Sequence, residues 1–134
     1  MRFAYWLPIA IIALCVAGCG KSGIPRYTVA GEVRYAGEPV PKGKLTFEPD
    51  RERENRGPAT TAKIENGRFR TPSGMGTVGG PIAVVVYGFD GSPPNEVSAY
   101  GKPLFPPYET TIDVDSDTSD LLIEIPKSES RNAR

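Results

Sequence analysis

Asp113, Asp115 and Asp117, with Glu124 seven residues after the last of them, stand at relative positions 1, 3, 5 and 12 of a twelve-residue calcium loop. Carboxylates at that spacing can wrap a hard cation in oxygen ligands. Thr118 occupies the sixth position, where glycine normally makes the sharp turn, and the flanking residues alternate as strands do. If the flanks are strands, Asp113 and Glu124 lie on two separate strands and do not close on one ion. The residues are therefore read as a solvated acidic turn, with no metal and no cofactor expected. Asp113, Asp115 and Asp117 are kept as the calcium candidates.

Other constellations fall short of a mechanism. Glu32, Glu48, Glu65 and Glu96 offer carboxylates for glycoside hydrolysis. Such a pair must face each other across a cleft at about 5 to 9.5 Å, and a small domain with short loops provides little cleft. Gly74, Gly76, Gly79 and Gly80 suggest a phosphate cradle, but the lysine and the following helix that such a loop uses are missing. The sequence has no histidine, which removes the commonest general base and the commonest zinc ligand together. No catalytic residue is assigned, and the chain is not expected to be an enzyme.

The stretch from Gly88 to Glu109 is longer than unstructured connections usually are. It places Phe89, Tyr100, Phe105 and Tyr108 among Pro93, Pro94, Pro103, Pro106 and Pro107. Prolines lower the entropy lost when a loop orders, and rigid aromatic loops suit contact surfaces. All four aromatics are candidate partner-binding residues. Phe105 and Tyr108 fit better as a cap on the open end of a sandwich, with Tyr108 bonding backbone near the penultimate strand.

The first nineteen residues address the protein. Arg2 precedes an apolar run from about Ala4 to Val16 that is broken by Pro8 and is shorter than the roughly 20 residues of a bilayer span. Val16-Ala17-Gly18-Cys19 resembles the bacterial lipobox. That resemblance implies cleavage after residue 18, lipidation of Cys19, and a membrane partner reached through the N-terminal lipid. The implied location is the bacterial cell envelope, lipid-anchored, with the periplasmic side of the outer membrane as the default. Removal of residues 1–18 takes away Cys15, so lipidated Cys19 leaves no free thiol and no internal disulfide. The equal count of 16 basic and 16 acidic side chains shows no nucleic-acid footprint.

With 15 glycines and 14 prolines, the remaining chain favours many short strands joined by turns. Strands are expected over 27–35, with Tyr27, Val29, Val33 and Tyr35 on one face, and over 44–48. A hairpin is expected around Asn66-Gly67, a central strand over 82–87, and a final pair over 110–114 and 121–125 joined by the acidic turn. Residues 50–58 read as a solvated loop and residues 74–80 as a flexible glycine-rich connection. The sum is an all-β fold: an antiparallel two-sheet sandwich of about seven strands with Greek-key character. The chain divides into a leader over 1–18, a lipidated tether over 19–26, the β-sandwich domain over 27–126 and a disordered tail over 127–134.

The order of several motifs resembles the carboxypeptidase regulatory-like, transthyretin-like domains of secreted bacterial lipoproteins. Val29-Ala30-Gly31-Glu32-Val33, Gly37-Glu38-Pro39-Val40-Pro41 and Lys44-Leu45-Thr46-Phe47-Glu48-Pro49 carry its start. Asn66-Gly67-Arg68-Phe69, the run from Ile82 to Tyr87 and Phe105-Pro106-Pro107-Tyr108 carry the rest. The chain departs from that pattern at Gly74 to Pro81, where Met75 and repeated glycine replace a polar approach to the valine strand. The resemblance implies an immunoglobulin-like or prealbumin-like sandwich and brings no catalytic residues. The expected function is a non-enzymatic module in contact with an envelope protein or polysaccharide. The second reading is a carbohydrate-binding or calcium-dependent adhesion module.

Overall fold

The computed structural model describes residues 23–127. The leader over 1–18, Cys19 and nearly all of the expected C-terminal tail lie outside the described residues. The strands are β1 (Arg26–Tyr27), β2 (Val29–Tyr35), β3 (Glu38–Pro39), β4 (Lys42–Pro49), β5 (Thr60–Glu65), β6 (Arg68–Arg70), β7 (Thr77–Val78), β8 (Gly80–Phe89), β9 (Tyr108–Val114) and β10 (Thr118–Ile125). One short 3-10 turn, Arg51–Arg53, interrupts the charged connection between β4 and β5. The protein is all-β, consistent with the expected sandwich.

Side-chain alternation explains the strands. β5 buries Thr60, Ala62 and Ile64 and exposes Thr61, Lys63 and Glu65. β4 buries Gly43, Leu45 and Phe47, and β8 buries Ile82, Val84, Val86 and Gly88. A period of two puts one set on the core and the other on the outside. Asn66 and Gly67 have φ of 50° and 78°, the double left-handed geometry that closes a tight hairpin, and they join β5 to β6.

The main sheet runs β10-β2-β6-β5-β4-β8-β9, with β3 attached to β2, while β1 and β7 form a small second sheet. β9 and β10 are its two edges, yet only residues 115–117 separate them in sequence. The sheet therefore curls until its edges meet at one place. Its inner face closes over a single core that takes Val29 and Val33 from β2, Leu45 and Phe47 from β4, and Ile123 and Ile125 from β10. Each such side chain contributes about 1.5–3 kcal/mol when fully buried.

Several expectations differ from what the fold shows. The final two strands are not a hairpin: β9 pairs antiparallel with β8, whereas β10 pairs in parallel with β2, Leu121 facing Gly31 and Ile123 facing Val33. A Cβ at residue 31 would collide with the carbonyl of Leu121, so glycine permits this docking. The first strand divides at Thr28. Its N–H donates to Asp117 Oδ1 at 2.8 Å and its carbonyl accepts from the Thr118 N–H at 2.9 Å, so the backbone of residue 28 serves the β9–β10 turn. Arg26, expected in the tether, already lies in β1. The stretch 74–80 is no flexible connection, because it contains β7 with Thr77 and Val78 buried against β1.

Candidate contact site

Residues 90–107 leave β8 and return to β9, and polar side chains organise them. Asp90 Oδ1 accepts from the backbone N–H groups of Ser92 and Lys102, both at 2.9 Å, which ties the two ends of the loop together. The Asp90 N–H donates to Lys102 O at 2.9 Å, and the Gly91 N–H donates to Tyr100 O at 3.1 Å. The backbone and side chain of Ser92, with the backbone of Lys102, hold the Asp90 carboxyl below its ordinary range. Asn95 repeats the device further out, its Oδ1 accepting from the N–H groups of Val97 at 2.8 Å and Ser98 at 2.9 Å. Asp90-Gly91-Ser92 and Asn95 are the usual residues of turns in which a side chain caps its own backbone. That local pattern was the signal available for finding them.

The four candidate aromatics separate into two pairs. Phe105 is buried, 8% exposed, with its ring centroid 5.0 Å from that of Tyr35. A Cβ on Gly88 would collide with the Phe105 ring, which shows how closely the ring covers β8. Tyr108 packs partly buried against the same core. Both rings pack on the core, and no hydrogen bond from the Tyr108 hydroxyl to backbone is seen among the described residues. Phe89 and Tyr100 instead stack on each other, centroids 5.6 Å apart at 38°, at the surface.

Phe89 and Tyr100 line a groove of about 560 Å³ together with Tyr87, Val97, Lys44 and Lys102. Tyr87 points out of β8 beside Lys44 of β4, and the Lys44 ammonium lies 5.2 Å from the ring centroid, a cation–π contact. Tyr100 is 37% exposed and Val97 95% exposed. Tyr87 and Lys44 were not among the expected site residues. They join the site through the β4–β8 register.

The acidic residues are dispersed. Asp113, Asp115 and Asp117 are exposed and follow the end of β9 into the turn, where Asp117 serves the Thr28 backbone and Asp115 accepts from the Ser116 hydroxyl at 3.1 Å. Glu124 stands on β10, the opposite sheet edge. Among the described residues no three carboxylates, histidines or cysteines gather where they could hold a metal ion. Glu32 pairs with Arg34 at 3.0 Å, Glu65 pairs with Lys42 at 3.7 Å, and Glu48 faces a second hollow of about 590 Å³ beside Asp50, Glu52 and Glu109. Also among the described residues, no helix is long and apolar enough to cross a membrane. No protein-family model, no curated protein and no solved structure matches this chain.

Proposed function

We propose that the chain is a non-enzymatic, lipid-anchored β-sandwich module of the bacterial cell envelope that works by presenting one contact surface to a protein or polymer of that compartment. The observation that carries this reading is the groove of Tyr87, Phe89 and Tyr100, built on a loop whose backbone is already tied by Asp90 and Asn95. A loop ordered before contact loses little further entropy on binding, so its exposed rings can serve as anchors. The leader and Cys19 support the location. The lack of histidine, and the lack of any thiol after Cys19, support binding over catalysis. The resemblance of the motif order to transthyretin-like lipoprotein domains, which brings no catalytic residues, is in keeping with that role. A calcium-dependent form of adhesion is not proposed, because Asp117 is engaged by the Thr28 backbone and Glu124 lies across the sheet.

Alanine at Tyr100 tests the reading. The variant should capture less of the envelope component that wild type captures in cells, with a melting temperature within about 4–8 °C of wild type. Equal capture by wild type and Tyr100→Ala would remove the groove from the account.

A further inference from the structure

The outer face of the main sheet carries a charge pattern that its own stability does not call for. β4 lies between β5 and β8, so Lys44 faces Lys63 across one seam and Tyr87 across the other, while Lys42 faces Glu65 and Phe89. Lys42, Lys44, Lys63 and Lys102 are all exposed. Lys42 alone of these makes an ion pair among the described residues, with Glu65. Like charges directly opposed on one face of an antiparallel pair repel and weaken the sheet. A departure from local stability of this kind is expected where a surface is shaped for something outside the chain.

The aromatic groove and the lysines form one trough. Beyond Tyr100 a second hollow of about 380 Å³ continues over Lys42, Lys63, Pro93 and Pro94, and both hollows share Ala99 and Tyr100. Among the described residues Glu65, already paired with Lys42, is the one carboxylate along it. Asp90 turns its Oδ1 to the loop backbone, and Glu96 lines neither hollow. At the far end of the same face Glu48, Asp50, Glu52 and Glu109 outnumber Arg51 around the larger hollow. The face is therefore cationic and aromatic at the loop end and anionic at the other.

We propose that this trough binds an anionic polysaccharide, with uronic-acid rings lying over Tyr87, Phe89 and Tyr100 and their carboxylates meeting Lys44, Lys63 and Lys102. Each part of that chemistry answers a feature of the surface. The excess cations select an anion. The run across two hollows selects an extended chain, and rings exposed in a concave groove select flat, partly apolar sugar faces. Asn95 and Ser98 beside the rings offer hydrogen bonds to hydroxyls. A flat lipid surface would meet the lysines but leave the concave rings unfilled. The inference rests on the contact reading above for its compartment, which sets polysaccharide ahead of single-stranded nucleic acid.

Isothermal titration of the detergent-solubilised full chain tests it, with a hexauronate as probe against maltohexaose, phosphatidylglycerol vesicles and oligothymidine. Hexauronate should bind saturably and more weakly as salt rises, and maltohexaose at least tenfold more weakly. The double variant Lys44→Gln/Lys63→Gln, and separately Tyr100→Ala, should each lower hexauronate affinity about tenfold, the lysine variant melting no lower than wild type and Tyr100→Ala within about 4–8 °C of it. Silence with hexauronate, equal binding of maltohexaose, wild-type affinity in the lysine variant, or preference for vesicles or oligothymidine would each overturn the proposal. In-cell photo-crosslinking from position 100 separates the two levels. Adducts combined with a silent titration overturn the polysaccharide alone, whereas no adducts and a silent titration overturn the contact reading as well.

Discussion

Replacing Phe105 by alanine separates the aromatics that hold the loop from those that face outward. The ring is 8% exposed, contacts Gly88 of β8 closely and stacks on Tyr35 at 5.0 Å. Truncating a buried phenylalanine removes its transfer energy and leaves a cavity, typically about 3–5 kcal/mol. Phe105 sits at the end of the core and adjoins the surface, so relaxation and water entry place it near the lower value, about 3 kcal/mol. For a domain of this size 1 kcal/mol shifts the midpoint by about 4–8 °C, so Phe105→Ala should melt roughly 12–24 °C below wild type. Tyr100→Ala removes a half-exposed ring stacked on one neighbour and should move stability by about 1 kcal/mol or less. Thermal melts followed by circular dichroism, with urea titrations for the free energies, measure both. A loss below about 1 kcal/mol for Phe105→Ala, or equal losses for the two variants, would refute the assignment of Phe105 to the core.

Other consequences are equally open to measurement. Gly31→Ala should push β10 off β2 by collision with the Leu121 carbonyl, lowering stability by about 3 kcal/mol in urea titrations. An unchanged midpoint would contradict the parallel pairing. Gly67→Ala should lose about 1–2 kcal/mol, because residue 67 has φ of 78°, and a loss near zero would contradict the tight hairpin. The Asp90 carboxyl is held below its ordinary value, so its hold on the loop is complete above the ordinary carboxylate pKa and is lost as pH falls through the lowered folded value. Opening-limited amide exchange at Ser92 and Lys102 should rise over that acid range in wild type and lose its acid step in Asp90→Asn. Added calcium should leave both the melting temperature and the calorimeter trace flat, since Asp113, Asp115, Asp117 and Glu124 do not converge.

Much of the sheet was legible locally because strand alternation and turn chemistry are local properties. Asn66-Gly67 announces a hairpin through the backbone geometry those two residues tolerate, and the Ile82-to-Tyr87 run announces a strand through its β-branched side chains. The pairing of β10 was not legible. Leu121 meets Gly31 across most of the domain, and the property that admits it is a missing Cβ on a residue that reads locally as an ordinary strand glycine. The same limit explains the division of the first strand, where Thr28 answers to Asp117 and Thr118 from the far end of the chain.

The site divides along similar lines. Phe89 and Tyr100 were candidates because of their types, whereas Tyr87 and Lys44 became visible only through the β4–β8 register. Lys42 and Lys44 alternate within one strand and share a face in the sequence itself. The repulsive partner Lys63 lies on β5, and only the pairing of β4 with β5 sets it opposite Lys44. The order of the loop was partly readable, since Asp90-Gly91-Ser92 carries turn chemistry, but the bond from Asp90 to the Lys102 N–H spans the loop and has no local mark.

The central claim, that the surface around Tyr100 is where this chain meets its envelope component, is tested most directly by photo-crosslinking in intact cells from position 100 compared with position 111 on β9. The account predicts adducts from position 100 that disappear when Phe89 is replaced by alanine, and few or none from position 111. Adducts from position 111 with none from position 100 would contradict it.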